Sequence, residues 1–169
     1  MNKDFFKTTK ILDGGMGQEL LARGMKPKGT LWSANALVDE KYHNLILDIH
    51  NDFIKSGADV IVTTTFTTRR KRLRENGIED QFKYLNQKAC EIAQKAKSNN
   101  PNVKIAGGLP PQNLTYEEDK RSEEDIVKDH SELAEILNPY VDFFYFDVWS
   151  SIKEIKCGIK ATKKFNKPY

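Results

Sequence analysis

The sequence predicts an α/β protein with parallel strands, of the (β/α)8-barrel or doubly wound type. Apolar strand-like runs and amphipathic helical stretches alternate four times along 169 residues, a pattern that calls for right-handed crossovers between parallel strands. Each strand-like run also ends in residues unlike a simple turn: Asp13 with its glycines, Thr63 to Phe66, Gly107 to Pro111, and Asp147 to Ser150. Both architectures place ligand-binding groups at such C-terminal strand tips. The first run lacks the GxGxxG spacing, because "DGGMGQ" has glycines at 14, 15 and 17 but glutamine at 18. A dinucleotide-binding fold is thereby disfavoured.

The first unit opens with "KILDG", a short apolar run closed by glycine, followed by a loop holding Trp32. "DEKYHNLILDIHNDFIKSG" then places Tyr42, Leu45, Ile46, Ile49, Phe53 and Ile54 at helical spacing, with Asp39 as N-cap and Gly57 as stop. "ADVIVTTTF" is a β-branched run too continuous for a half-exposed strand. The second helix reads from about Asp80 to Ser98, with Phe82, Leu85, Ala89, Ile92, Ala93 and Ala96 on one face. "NVKIAGGLPP" is the third strand, closed by glycines and prolines. Ser122 and Asp125 frame a variant capping box, with Asp in the place of the usual Glu or Gln, before a helix through Leu137. "VDFFYFDVW" is the fourth strand, and "SSIKEIKCGIKATKKF" the fourth helix, carrying Ile152, Ile155 and Ile159. A fifth strand would begin at "NKPY".

Composition narrows the class. The apolar fraction of 38% is clustered rather than scattered, so the 30% of charged residues still suits a soluble globular chain, read as one domain over 1–169. No stretch approaches the ~20 apolar residues of a membrane span. "MNKDFFKTTK" has no apolar core of signal-peptide length, which makes the cytoplasm the expected location. Two cysteines, Cys90 and Cys157, do not make a disulfide framework, in agreement with a reducing compartment. The net charge of +3 is too small to argue for nucleic acid. The run "RRKRLR", residues 69–74, reads as a solvated basic surface in preference to an anion site, since no aromatic residues interleave for base stacking.

Five segments together resemble one family. "ILDGGMGQELLARG", "LWSANAL", "GADVIVTTTF", "AGGLPP" and "VDFFYFDVWSSIKEIK" are similar, in order and approximate spacing, to segments of the homocysteine S-methyltransferases. These include the betaine- and S-methylmethionine-dependent enzymes and the homocysteine domain of cobalamin-dependent methionine synthase. The resemblance implies a (β/α)8 barrel, which needs roughly 250 residues. The chain then supplies about four of eight βα units, a half-barrel and the N-terminal part of a homocysteine-binding domain. It also implies methyl transfer from a sulfonium or quaternary ammonium donor to the homocysteine thiol, giving methionine. A free thiol, with a pKa near ~8.5, is a poor nucleophile at neutral pH, and the family's zinc fixes it as thiolate. The three cysteines that hold that zinc would all lie beyond Tyr169. The chain departs from the family pattern in having Thr64 in place of asparagine and Asp147 in place of glutamate.

The resemblance assigns Asp13 and Asp147 to the α-ammonium of homocysteine, which a carboxylate grips through charge-assisted hydrogen bonds. Their plainer roles are a turn carboxylate capping nearby amides for Asp13, and a side chain one methylene too short to reach for Asp147. Thr63 and Phe66 match family positions near the substrate, or simply line a β-branched interior. Trp32 closes over a ligand or covers the barrel rim. Gly107, with Gly108, gives a ligand close backbone approach or makes a strand-end turn. Cys90, Cys157, His43, His50 and His130 all fall in helices, so no complete metal site is expected here, and the chain alone is expected to be inactive. Two other readings compete. One is a non-catalytic half-barrel that binds an amino acid or a partner chain, pairing with a complementary half-barrel or with itself through parallel strand edges. The other is an unrelated barrel enzyme with Asp13 and Asp147 as an acid/base pair.

Overall fold

Parallel strands form where the β-branched and aromatic runs were expected to place them. Residues 3–169 are described by a computed structural model, and Met1 and Asn2 lie outside the described residues. In chain order the elements are α1 (Met16–Ala22), α2 (Asn35–Val38), α3 (His43–Lys55), β1 (Val60–Val62) and α4 (Arg70–Glu75). They continue with α5 (Phe82–Ser98), β2 (Lys104–Leu109), α6 (Glu123–Leu137), β3 (Phe143–Phe146) and α7 (Ile152–Thr162). The strands make one parallel sheet in the order β1-β2-β3, with Val60 opposite Lys104 and Ala106 opposite Phe143.

The first apolar run is the exception. It contributes one parallel bridge, Leu12 to Val60, in place of a full strand. It lies at the sheet edge with Ile11 and Leu12 largely exposed, and the Asp59 carboxylate accepts the Ile11 amide at 3.0 Å. The stretch after it, read as a glycine turn and loop, is helical over α1.

Two layers of side chains sandwich the sheet. On one face Ile46 and Ile49 of α3, Leu85 of α5 and Leu133 of α6 bury Ile105 and Phe144. On the other, Val60, Ala106 and Phe143 meet Phe5, and Phe6 packs edge-on against Phe143 at 5.3 Å. Helix ends follow local chemistry. Gly57, at φ +105°, stops α3 in a conformation that costs other residues. The Ser122 hydroxyl accepts the Asp125 amide at 3.1 Å and starts α6. Asp39 caps the 3-10 turn Glu40–Tyr42 that precedes α3.

The structure refines three sequence readings. On α7, Ile152 is 71% exposed and Ile155 41%. Its inward face is Glu154, Cys157, Gly158 and Ala161, because α7 lies close to its neighbours, with Gly158 set where a Cβ would overlap the Trp149 indole. The basic run 69–74 is solvated only in part, with Arg74 exposed and Arg69 and Leu73 buried. Arg69 is buried and donates through Nη1 to the Pro111 carbonyl (2.7 Å) and the Thr115 hydroxyl (3.1 Å). Arg70 forks onto Glu132 (Nε to Oε2, 2.7 Å), and Arg74 forks onto Glu79 at 2.6 and 2.7 Å. Finally, "NKPY" begins the pairing of a strand without completing one. The Phe144 amide donates to Pro168 O at 2.9 Å, and Tyr169 stacks on Phe146 at 5.6 Å.

Candidate active site

Asp13 leaves the first apolar run with its own amide donating to Val60 O at 2.9 Å. Its carboxylate then turns back, and Oδ2 accepts the Val62 amide at 2.9 Å. The acid therefore caps an amide of the neighbouring strand and not of its own turn. Gly14 and Gly17 after it are required by close packing and not by a left-handed backbone. A Cβ on Gly14 would meet the Phe53 ring at 2.8 Å, and one on Gly17 would overlap the Trp32 indole. Trp32 itself has φ 51°, an uncommon conformation for a residue with a side chain.

These residues form the wall of a cavity of about 300 Å³ at the C-terminal tips of the first run, β1 and β3. Asp13, Asp147, Thr63, Phe66 and Trp32 all line it, joined by Tyr145. Gly107 does not. A Cβ there would face Val141 and Leu137 on the helical side, so its role is to let α6 approach β2. Thr63 is held by its neighbours: its hydroxyl accepts the Gly108 amide at 3.0 Å and pairs with the Thr65 hydroxyl at 3.0 Å. Thr65 in turn donates to Gly108 O at 2.7 Å, which ties the tip of β1 to β2. Thr64 differs from both. The residue lines the cavity, and its buried hydroxyl has no hydrogen-bond partner among the described residues, an unpaired group that asks for an explanation.

The electrostatics are one-sided. Two carboxylates and the Tyr145 phenol line the cavity, and among the described residues no Lys, Arg or His does. Burial pushes Asp13 up to about 7, with the charge of Asp147 adding to the rise. Burial raises Asp147 as well, and it raises Tyr145, with both acids contributing. Such a site disfavours its own negative charge until a cation enters. The geometry thus suits a small ligand with an ammonium group, an apolar stem and one hydrogen-bonding group for Thr64.

The Homocysteine S-methyltransferase family model matches residues 10–169. The chain belongs to the homocysteine S-methyltransferase family. S-methylmethionine–homocysteine S-methyltransferase of Rattus norvegicus is 26% identical over 157 residues, covering 92% of this chain and 40% of that protein. Homocysteine S-methyltransferase of Escherichia coli is 33% identical over 109 residues, covering 60% of this chain and 34% of that one. Among solved structures, the metallated form of the Escherichia coli homocysteine methyltransferase MmuM aligns with a TM-score of 0.82 at 26% identity. That alignment covers 97% of this chain and 62% of the other. This family member therefore spans only part of the length of each of these relatives.

Metal chemistry does not fit the residues in hand. Among the described residues no group of three or more His, Cys, Asp or Glu side chains could hold a metal ion. A thiol ligand must give up its proton, yet burial pushes Cys90 on α5 up to about 12 and raises Cys157 on α7. His43 uses Nε2 on the Leu37 carbonyl at 2.9 Å, and the His130 ring packs tilted against Trp149 at 4.4 Å. His50, seven positions after His43 on the same helix, is buried with neither ring nitrogen hydrogen-bonded among the described residues. Among the described residues no helix is long and apolar enough to cross a membrane.

Two groups at the site escaped the sequence reading. Tyr145 alternates inward on β3 among aromatic residues of no distinguishing pattern. His50 counts as one more position on the buried face of α3, and only the fold brings it to Asp13.

Proposed function

We propose that this chain is the N-terminal, homocysteine-binding part of a homocysteine S-methyltransferase, built as about four units of a (β/α)8 barrel. One observation carries the reading: a cavity at the strand tips holds two acids, the buried Asp13 carboxylate and the half-buried Asp147, and among the described residues no basic side chain. Asp13 and Asp147 grip the α-ammonium of homocysteine, and the bound cation draws both back to the ionised state. Thr64 offers its unpartnered hydroxyl, while Phe66 and Trp32 enclose the apolar stem and exclude water. Charge-assisted contacts to the ammonium fix the orientation, so that the thiol meets a sulfonium or quaternary ammonium donor in line. The ligands for the family's zinc are supplied outside residues 3–169. The rest of the barrel joins along two open edges, beside β3, where Pro168 already pairs, and beside Ile11 and Leu12. On this reading the protein works in the cytoplasm, where a thiol substrate stays reduced.

Calorimetry of the 169-residue chain tests the reading directly. L-homocysteine is expected to bind at pH 8, and N-acetylhomocysteine, which lacks the ammonium, to bind at least tenfold more weakly. Equal affinities would remove the roles of Asp13 and Asp147. Metal analysis of the same preparation is expected to find no stoichiometric zinc and no methyl transfer. Stoichiometric zinc with turnover would overturn the placement of the ligands.

A further inference from the structure

Helix α3 carries His50 on the same face as Ile46, Ile49 and Phe53, and its imidazole is fully buried. Neither ring nitrogen has a hydrogen-bond partner among the described residues. A buried polar group left unpaired is costly and asks for an explanation. Nδ1 lies 3.9 Å from Oδ2 of Asp13. Closing that gap to hydrogen-bond length takes a shift of about 1 Å, within the reach of a ring rotation.

We propose that His50 is a positioning residue of the homocysteine site, its Nδ1–H donating to Asp13 Oδ2 and holding Oδ1 toward the cavity. The proposal rests on the reading that Asp13 takes the substrate ammonium. The Val62 amide also engages Oδ2, so both fixed donors act on one oxygen and the other is left for the ligand. Burial pushes His50 down to about 4, so it is neutral at physiological pH and has a single N–H to give. The other titratable groups lining this cavity with Asp13 are Asp147 and Tyr145, from the end of β3. Segments 14–17 and 32–33 contribute none. Burial, with a smaller contribution from the charge on Asp147, opposes ionisation of Asp13, and a hydrogen bond from His50 offsets part of that opposition. His50 therefore sets the pH at which the site becomes able to bind an ammonium.

Two variants of the 169-residue chain separate positioning from packing. His50→Leu fills the space without a donor, and His50→Asn places an N–H near the Nδ1 position. Nitrogen-15 NMR of the unliganded protein is expected to show His50 protonated at Nδ1, and to lose that preference in Asp13→Asn. The pH midpoint of homocysteine affinity is expected to rise by about one unit in His50→Leu, the worth of one hydrogen bond to a charged group. It is expected to stay in place in His50→Asn. A ring protonated at Nε2 regardless of Asp13 overturns the proposal, as does an unmoved midpoint in His50→Leu. An Nδ1 proton that depends on Asp13, in a chain binding no homocysteine at any pH, overturns the substrate reading and with it this role, and leaves the His50–Asp13 contact as a structural pair.

Discussion

Asp13→Asn is expected to stabilise the chain by about 4 kcal/mol at pH 8 while weakening homocysteine binding at least tenfold. The sign follows from burial. Asp13 titrates at 3.8 when unfolded and is raised to about 7 in the fold. The native state therefore prefers the protonated acid. Below the unfolded value both states carry the proton and the residue costs nothing. As pH rises from 3.8 toward 7 the unfolded chain releases its proton first, and stability falls. Above the folded value the loss is complete, and about three units at 1.36 kcal/mol each give the ~4 kcal/mol quoted. Asparagine is isosteric, stays neutral, and still offers an oxygen to the Val62 amide. Urea unfolding of both proteins across pH 4 to 8 checks this. The gain should be largest at pH 8 and shrink toward zero at pH 4. A constant difference across that range would mean that Asp13 is ionised throughout in the fold. A residue whose replacement strengthens the fold and weakens the site is held there for its chemistry.

The parts of this fold that sequence reveals are those with local causes. The face of α5 was readable because Phe82, Leu85, Ala89, Ile92, Ala93 and Ala96 are all buried on one helix, and periodicity alone specifies such a face. Gly57 and Ser122 mark helix ends because one turn of chain decides their geometry. What stayed hidden depends on distant partners. The charges of 69–74 gave no sign that Arg69 would be buried against Pro111 and Thr115, more than forty positions away. Gly107 and Gly108 carry no side chains to mark which way each faces, and parity along β2 turned Gly107 to the helices. Helical spacing put Ile152 and Ile155 on one helix without telling which way they face, and both are exposed. At the site, Asp13, Asp147, Thr63, Phe66 and Trp32 were legible as strand-tip or loop residues. Their convergence with Thr64 and His50 is tertiary, and no spacing in the chain encodes it.

Trp149→Ala is expected to cost about 3 kcal/mol and to weaken homocysteine binding, although the indole lies outside the cavity. Its ring stacks on Phe146 at 4.3 Å with an interplanar angle of 7°, and packs tilted against His130 at 4.4 Å. Gly158 of α7 backs it so closely that a Cβ would overlap it. Truncating a large aromatic among such neighbours costs about 3–5 kcal/mol when it is fully buried, and Trp149 is half-buried. The consequence for the site runs through one carbonyl. Leu109 O, at the end of β2, accepts both the Trp149 Nε1–H at 2.6 Å and the Asp147 amide at 3.1 Å. Between these two residues Val148 takes φ 58°, so the indole pins a strained turn whose first residue carries the carboxylate. Without it the turn relaxes and Asp147 loses its fixed position at the cavity. Trp149→Phe separates the contributions, because it keeps the stacking and removes only the hydrogen bond, a loss of about 1 kcal/mol. Denaturant unfolding and homocysteine calorimetry on both variants give the answer. If the alanine variant unfolds early yet binds homocysteine with unchanged affinity, the turn does not depend on the indole and Asp147 is held by β3 alone.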